Sequence, residues 1–192
     1  MSTDPLVRFH RWFAQAQRAG VVLPESMALA TADAHGRPSV RFVLLKQADA
    51  SGFVFFTNLR SRKGRELEEN RRAALAFYWD QLRKQVRVEG RVERVSADEA
   101  DAYWVTRPRE SQLAAVASRQ SAALASRRAL LAKWRTLRRQ YRGEDVPRPA
   151  EWTGFRLVPE AIEFWTNRDH RLHDRELFVR TRDGWKRSLL QP

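Results

Sequence analysis

The chain has no cysteine among its 192 residues, so it can form neither a disulfide framework nor a thiolate metal site. It contains no GxGxxG fingerprint and no Walker phosphate loop, which argues against a Rossmann or P-loop nucleotide site. Its four histidines form no HExxH pattern. We therefore expect neither a bound metal nor zinc-hydrolase chemistry.

Long apolar runs are also missing. No segment approaches the roughly 20 apolar residues of a membrane-spanning helix, and the N-terminal MSTDPLVRFHRW lacks the apolar core of a signal peptide. Hydrophobic residues nevertheless make up 43% of the chain, which is enough for a globular core. The composition thus predicts a cytoplasmic globular protein without membrane association.

Acidic residues are in the minority. Against 36 Lys and Arg stand 23 Asp and Glu, giving a formal net charge of +13. Such a balance favours anionic partners, which include nucleic acid, acidic membranes and phosphorylated small molecules. A solvated basic surface would explain the same charge, so the motifs must decide between these readings.

The alternation of apolar residues and turn formers predicts an α+β fold. Asp4 and Pro5 are typical of a helix start, and Gly20 of a helix end. Strands are expected at MALATAD, SVRFVLLKQ, GFVFFTN, AALAFYWD, KQVRVEGRVERV, TGFRLV, AIEFW and ELFVRTRDGWKRSLL. Strands, then helices, then strands indicate one antiparallel, barrel-like sheet with a helical insertion. The single expected domain comprises an N-terminal helix (1–20), barrel strands (27–95), the insertion (97–142) and C-terminal strands (152–192).

Two helix starts are predicted from capping residues. Ser61 can cap the short helix RKGRELEEN. Ser96 and Glu99 form a capping box, in which each side chain would bond the backbone N–H of the other. The last helix of the insertion is expected to be the amphipathic segment SAALASRRALLAKWRTLRRQYRG, which begins at Ser121 and ends at Gly143.

The segment FFTNLRSRKGREL has the features of a phosphate site. It places Thr57, Ser61, Arg62 and Lys63 where a strand ends and a helix begins. Free backbone N–H groups and the helix dipole favour an anion there. Cations in the first turn interact unfavourably with the helix dipole, and this favours an anionic ligand at the site. A capped helix with a basic first turn is the alternative.

Two further segments carry spaced cations. In RFVLLK, Arg41 and Lys46 should point to opposite faces of a strand and so serve different anions, although an ordinary strand with solvated ends also fits. In YWVTRPRES, Tyr103, Arg107 and Ser111 are four residues apart, and Pro108 should break the helix between them. The three side chains could hold a phosphate dianion at that break, or simply mark a helix junction.

A fourth segment, FWTNRDHRLHDR, is rich in cations near the C-terminus. If it is extended, Arg171, His173 and Arg175 share one face. A guanidinium can lie over an aromatic ring and neutralise an oxyanion, and an imidazole can exchange a proton near neutral pH. Each residue taken singly is also typical of a surface.

Together these segments resemble the pyridoxine/pyridoxamine 5′-phosphate oxidase family. The matching blocks, in family order, are RFVLLK, FFTNLRSRKGREL, KQVRVEGRVERVS, VTRPRESQ, ASRQS and FWTNRDHRLHDR. The resemblance covers most of the chain, to the terminal LLQP, and implies an FMN-binding antiparallel split barrel, Greek-key-like, that works as a homodimer with flavin at the subunit interface.

The resemblance also implies site residues. FMN contacts would be Arg41, Lys46, Phe56, Thr57, Arg62, Lys63, Gln85, Gln120, Ser121, Trp165 and Arg175. The substrate phosphate would be bound by Lys46, Tyr103, Arg107 and Ser111, while Arg171 and His173 would cover the pyridine ring and act in catalysis.

The implied reaction oxidises pyridoxine or pyridoxamine 5′-phosphate to pyridoxal 5′-phosphate. Hydride passes from the substrate C4′ carbon to the flavin, dioxygen is reduced to hydrogen peroxide, and the amine substrate also releases ammonia. The chain departs from the family pattern in Phe56, where tyrosine is common, and in Leu23, where an acid is common. It is also expected to lack the basic–aromatic N-terminal arm of many members.

Three alternatives stay open at this point. A sister flavin oxidase could act on another aromatic metabolite, as in phenazine biosynthesis, although Lys46, Arg107 and Ser111 favour a phosphorylated substrate. A nucleic-acid-binding module would use the basic 121–142 segment, but interspersed apolar residues favour an ordinary helix face, so no nucleic-acid partner is expected. A flavin binder without turnover is the third.

Overall fold

The structure is a computed structural model and describes residues 4–192. Its first element, α1, runs over Pro5–Arg18, and the Asp4 carboxylate caps it by accepting from the backbone N–H of Leu6 at 2.9 Å. Phe9, Trp12 and Ala16 on one helix face are buried in the core. The predicted helix and its capping residues are thus confirmed.

Nine strands of the described chain form one curved antiparallel sheet in the order β2-β1-β5-β6-β7-β4-β3, and β8 pairs with β7 and with β9. The strands are β1 Ser26–Ala32, β2 Pro38–Leu44, β3 Gln47–Asp49, β4 Gly52–Asn58, β5 Arg72–Trp79, β6 Lys84–Arg94, β7 Trp152–Thr166, β8 Asp174–Thr181 and β9 Gly184–Leu190. The helices after α1 are α2 Arg62–Glu69, α3 Ala97–Thr106, α4 Arg109–Ala117 and α5 Arg127–Gln140. The predicted α+β class and antiparallel sheet are confirmed.

Strand β7 is continuous, whereas the sequence predicted two strands separated at Pro159. The 15-residue strand passes through this proline because the register with β6 shifts between Glu89 and Gly90. A β-bulge of this kind tolerates a residue without an N–H donor. A Cβ at Gly90 would lie 2.0 Å from the Val158 carbonyl oxygen, so the bend at this point requires glycine.

The insertion contains three helices; the predicted start of α3 at Ser96 is confirmed, whereas the start of α5 and the partner of Glu99 need correction. Helix α5 begins at Arg127, where Ser126 caps it, and not at Ser121, which has a left-handed φ of 68° incompatible with a helix. The Ser96 hydroxyl accepts from the Glu99 N–H at 3.0 Å, as predicted for a capping box. The Glu99 carboxylate, however, bonds Arg156 at 2.7 Å, because a cation is the stronger partner.

Three apolar clusters hold the sheet and the helices together, and two of them position the cleft-forming elements. The main cluster fills the sheet and includes Phe9 of α1, whose ring packs edge-on against Phe53 at 4.9 Å. A second cluster contains Trp104, Leu113 and Trp152, and it attaches α3 and α4 to the start of β7. The junction of α3 and α4 is therefore fixed next to the end of β4. No helix within residues 4–192 is long and apolar enough to cross a membrane.

Helix α2 approaches the end of β4 so closely that a side chain cannot fit at Gly64. A Cβ there would lie 2.4 Å from the Asn58 carbonyl oxygen and 2.5 Å from that of Leu59, both backbone atoms. We predict that Gly64→Ala lowers the free energy of unfolding by about 2 kcal/mol or more, because backbone must move. Urea denaturation measures this, and Glu69→Ala on the exposed side of α2 is the control. Equal stability of the two variants would contradict this packing.

Candidate functional site

A cleft of about 560 Å³ opens between the ends of β2 and β4 and the junction of α3 and α4. Its lining includes eight of the side chains that the sequence singled out, namely Lys46, Phe56, Thr57, Lys63, Tyr103, Arg107, Ser111 and, from the loop after α4, Gln120. Segments far apart in the sequence thus contribute polar groups to one cavity.

Lys63 lies at the inner end of this cleft. Its ammonium group donates to Thr57 Oγ1 at 3.3 Å and to Gln120 Oε1 at 3.4 Å, and the residue is only 8% exposed. Burial lowers the pKa of Lys63, and the charge of Arg41 lowers it further. The nearby charge of Glu66 partly opposes this lowering of the pKa, but Lys63 forms no salt bridge within the described residues, so an anionic ligand would supply a direct counter-charge.

The start of α2 adds backbone donors beside Lys63. Ser61 caps the helix by accepting from the Gly64 N–H at 3.1 Å, as the sequence predicted. Arg62, by contrast, turns its Nε to Glu66 at 2.8 Å, and it does not line the cleft. Lys63, Thr57 and Gln120 therefore form the core of a first anion cradle.

A second anion cradle lies where α3 ends and α4 begins. Helix α3 ends at Thr106 and α4 starts at Arg109, so Pro108 breaks the helix as predicted. The Arg107 guanidinium stacks over the Trp152 ring at 4.6 Å and donates from Nη2 to the Ser111 carbonyl at 3.3 Å. Its Nη1 is buried without any hydrogen-bond partner, and burial lowers the pKa of the Arg107 guanidinium.

Such an unpaired buried donor is costly unless a ligand accepts from it. Lys46 reaches the same region, with its Nζ 5.9 Å from the ring of Tyr103. Lys46 lies just beyond the end of β2 and lines the cleft, whereas Arg41 within β2 does not. The second cradle thus combines Lys46, Tyr103, Arg107 and Ser111.

Three nearly parallel aromatic rings, those of Phe56, Tyr103 and Trp152, line the same cleft. Phe56 stacks on Tyr103 at 4.1 Å and on Trp152 at 5.1 Å, with interplanar angles of 18° and 7°. Gly154 makes room for this stack, since a Cβ there would lie 2.8 Å from the Phe56 ring. Trp152 was not singled out from the sequence, because nothing in its local pattern distinguishes it from a core residue.

A second group of predicted site residues lies away from the cleft, on β6, β7 and β8. Gln85, Trp165 and Arg175 are direct neighbours across these strands, and the His173 ring is 4.6 Å from that of Trp165. We call this group, together with Arg171, the β6–β8 row. The predicted cofactor contacts are therefore split between two regions of the chain.

The sequence expectation of an extended segment at Arg171 is wrong. Asp169–Arg171 form a 3₁₀ turn, in which His170 and Arg171 both have left-handed φ values of 56° and 63°. Consecutive non-glycine residues in this region are strained, and such strain is often found at functional sites. The turn is closed by the Arg168 N–H, which donates to Nδ1 of His173 at 3.2 Å.

The two regions are separated along β7. Trp152 at the cleft is its first residue and Trp165 in the row is its last but one, which is a path of roughly 45 Å along an extended strand. The predicted site residues that do not line the cleft are Arg41, Arg62, Gln85, Ser121, Trp165, Arg171, His173 and Arg175.

Glu66 lies behind the first cradle and was not singled out from the sequence. Its buried carboxylate accepts hydrogen bonds from Thr31, Ser39, Arg41 and Arg62. Burial alone would raise its pKa, but these bonds outweigh burial and lower it to about 2. The one available sequence signal was its spacing of four residues from Arg62 on a helix.

Comparison with known proteins gives two family matches. A model described as "Pyridoxamine 5'-phosphate oxidase" matches residues 13–141, and one described as "Pyridoxine 5'-phosphate oxidase C-terminal dimerisation region" matches residues 152–192. The chain is 54% identical to the "Pyridoxine/pyridoxamine 5'-phosphate oxidase" of Rubrobacter xylanophilus, with 98% of this chain and 87% of that protein covered. The Myxococcus xanthus protein of the same name is 52% identical, with coverages of 98% and 92%.

Solved structures show the same fold. PhzG from Burkholderia lata 383, solved in complex with tetrahydrophenazine-1-carboxylic acid, matches with a TM-score of 0.95 and 36% identity over 100% of this chain and 94% of that one. A pyridoxamine 5'-phosphate oxidase-related, FMN binding protein from Nostoc punctiforme matches the whole of both chains with a TM-score of 0.78 at 18% identity.

The unpaired donor of Arg107 leads to a prediction about stability. Arg107→Met should leave the free energy of unfolding without ligand within about 1 kcal/mol of wild type, because it removes an uncompensated buried cation. Inorganic phosphate should raise the melting temperature of the wild type more than that of the variant. Thermal unfolding with and without phosphate measures both effects.

The matched control is Arg109→Met, which removes an exposed arginine bonded to the Glu144 carbonyl at 2.8 Å. This control should keep the full response to phosphate. An equal phosphate response in Arg107→Met and wild type would contradict the assignment of Arg107 to an anion cradle.

Proposed function

We propose, for a chain that belongs to the pyridoxamine 5′-phosphate oxidase family, that it uses FMN and dioxygen to convert pyridoxine or pyridoxamine 5′-phosphate to pyridoxal 5′-phosphate. Relatives at about 50% identity with this oxidase name support an oxidoreductase of this kind. The observation that carries the substrate assignment is the presence of two anion cradles in one cleft, because cofactor and substrate each bear a phosphate.

The first cradle fits the FMN phosphate. Lys63 has no salt-bridge partner among the described residues, and Thr57 and Gln120 hold it in place. Free N–H groups at the start of α2 add to the positive potential. When bound, FMN supplies the two-electron acceptor that no side chain of this protein provides.

The second cradle fits the phosphate of a B6 vitamer. Arg107 has a buried Nη1 without a partner, and Lys46 and the Tyr103 and Ser111 hydroxyls line the same part of the cleft. An anion held by several fixed donors would orient the rest of the substrate and restrict its motion. We propose that these four residues hold the substrate while its C4′ carbon is oxidised.

We further propose that Arg171 and His173 contact the pyridine ring. Arg171 lies in the turn before β8, with a left-handed backbone, and its guanidinium could lie over the ring and stabilise charge on the 3-oxygen. His173, fixed by the Arg168 N–H at Nδ1, can position the ring or move a proton.

One chain does not bring the cleft and the β6–β8 row together, and we propose that a second copy does so. The chain matches a dimerisation-region family over residues 152–192, which supports a homodimer. Val40, Phe42 and Leu44 expose apolar side chains on β2 beside the cleft, with Phe42 77% exposed, as expected of a surface that a partner covers. FMN would then lie between the cleft of one protomer and the row of the other.

A second candidate is an oxidase that acts on an aromatic carboxylate. The close structural match to PhzG, solved with such a ligand, favours it. The two substrates differ in charge, since a phosphate dianion can engage Lys46 and Arg107 together, whereas a carboxylate carries a single charge. We therefore prefer the phosphorylated substrate.

Anaerobic flavin reduction distinguishes these candidates. We predict that the purified protein is yellow and that pyridoxamine or pyridoxine 5′-phosphate bleaches its visible absorption, with peroxide appearing when air is admitted. Pyridoxine without the phosphate should bleach it far more slowly, because the second cradle stays empty. Yellow protein that neither vitamer phosphate bleaches would favour the carboxylate substrate or a binder without turnover.

Subunit complementation tests the shared site. Arg171→Leu and Arg107→Met homodimers should each retain FMN but lose most turnover. After unfolding and refolding as a mixture, about a quarter of wild-type activity should return, because half of the dimers are mixed and each has one intact site. Wild-type protein refolded in the same way is the control. No recovery, with mixed dimers verified by mass, would show that each site is built from one chain.

A further inference from the structure

Glu66 does not line the cleft, but it bonds residues on three elements around the first cradle. Its two carboxylate oxygens have different partners. Oε2 accepts from the hydroxyls of Thr31 and Ser39, the latter at 2.6 Å, and from Arg41 Nη2 at 3.2 Å. Oε1 accepts from Nε of Arg62 at 2.8 Å. The carboxylate therefore connects β1 and β2 on one side to the start of α2 on the other.

The donors of Arg41 are already in use. Its Nη1 donates to Thr31 and to the Leu29 carbonyl, and its Nη2 to Ser39 and Glu66. Both terminal nitrogens of Arg41 are therefore committed to protein, although the family resemblance assigns this residue to FMN. Arg41 therefore helps to fix the Glu66 carboxylate.

Arg62 is in the opposite situation. Only its Nε is bonded, to Glu66, and neither terminal nitrogen has a hydrogen bond within the described residues. These two nitrogens form the planar fork that binds phosphate oxygens in pairs. The side chain is 60% exposed, so without Glu66 it would sample many rotamers.

We propose that Glu66 is a positioning residue that holds the Arg62 fork in place for the FMN phosphate, with Thr31, Ser39 and Arg41 fixing the carboxylate. This inference rests on the proposed function, since it requires FMN as the ligand. If Arg62 is already held in one rotamer by Glu66, less of its side-chain entropy is lost when the phosphate binds.

An effect of charge and an effect of positioning predict opposite changes in FMN affinity for Glu66→Gln. The substitution removes a negative charge close to Arg62 and Lys63, so Coulomb attraction alone predicts tighter binding of the anionic cofactor. Loss of a fixed Arg62 predicts weaker binding. The direction of the change therefore separates the two roles.

The experiment titrates apoprotein with FMN and with riboflavin, which has the same ring but no phosphate, and follows flavin fluorescence. Glu66→Gln should weaken FMN binding about tenfold, the loss of one charge-assisted hydrogen bond, and change riboflavin binding by less than about twofold. Glu68→Gln is the matched control on the same helix, because its carboxylate pairs with Arg94 at the surface. It should leave both affinities unchanged.

A double-mutant cycle with Arg62→Gln tests whether Glu66 acts through Arg62. In the Arg62→Gln background, Glu66→Gln should weaken FMN binding further by less than about twofold, because the side chain that Glu66 positions is gone. If Glu66→Gln does not fold, Ser39→Ala weakens the same connection without changing charge, and it should weaken FMN but not riboflavin. Equal or tighter FMN binding by a folded Glu66→Gln, or additive losses in the cycle, would overturn the inference. Wild-type apoprotein that binds no FMN would instead overturn the proposed function.

Discussion

Lys63 is buried in the cleft and Arg107 is half-buried there with a fully buried Nη1, and neither forms a salt bridge within the described residues. Buried cations without counter-charge are costly, and the structure retains them by bonding them to neutral oxygens and stacking one over Trp152. An anion at each position would remove the cost. The unbalanced charge is therefore the constraint that favours anionic ligands in this cleft.

The carboxylates that could neutralise these cations are placed elsewhere. Glu66 and Glu163 are buried, and each binds two arginines outside the cleft; Glu163 accepts from Arg175 at 2.8 Å and forms an ion pair with Arg87 at 2.9 Å. These two carboxylates hold arginine side chains in place and leave the cations of the cleft available to a ligand. The same arrangement recurs behind the cleft and in the β6–β8 row, the two regions that a dimer would bring together.

Local physical rules predicted much of this architecture. Strand β4 has the bounds expected from GFVFFTN, and the helix break follows from the steric effect of Pro108. Features that depend on contacts between distant segments were not predicted. The continuity of β7 depends on a bulge at Glu160, where its register with β6 shifts, and the left-handed turn at Arg171 depends on contacts the sequence does not reveal. Glu66 was missed for the same reason, since three of its four partners come from other elements.

The most direct measurement is a crystal structure of the protein with FMN and pyridoxal 5′-phosphate bound together. The account predicts two phosphates in one cleft, one beside Lys63 and one beside Arg107, with the two ring systems between them and the β6–β8 row of a second protomer covering the site. A single phosphate in the cleft, or a vitamer bound elsewhere on the protein, would contradict it.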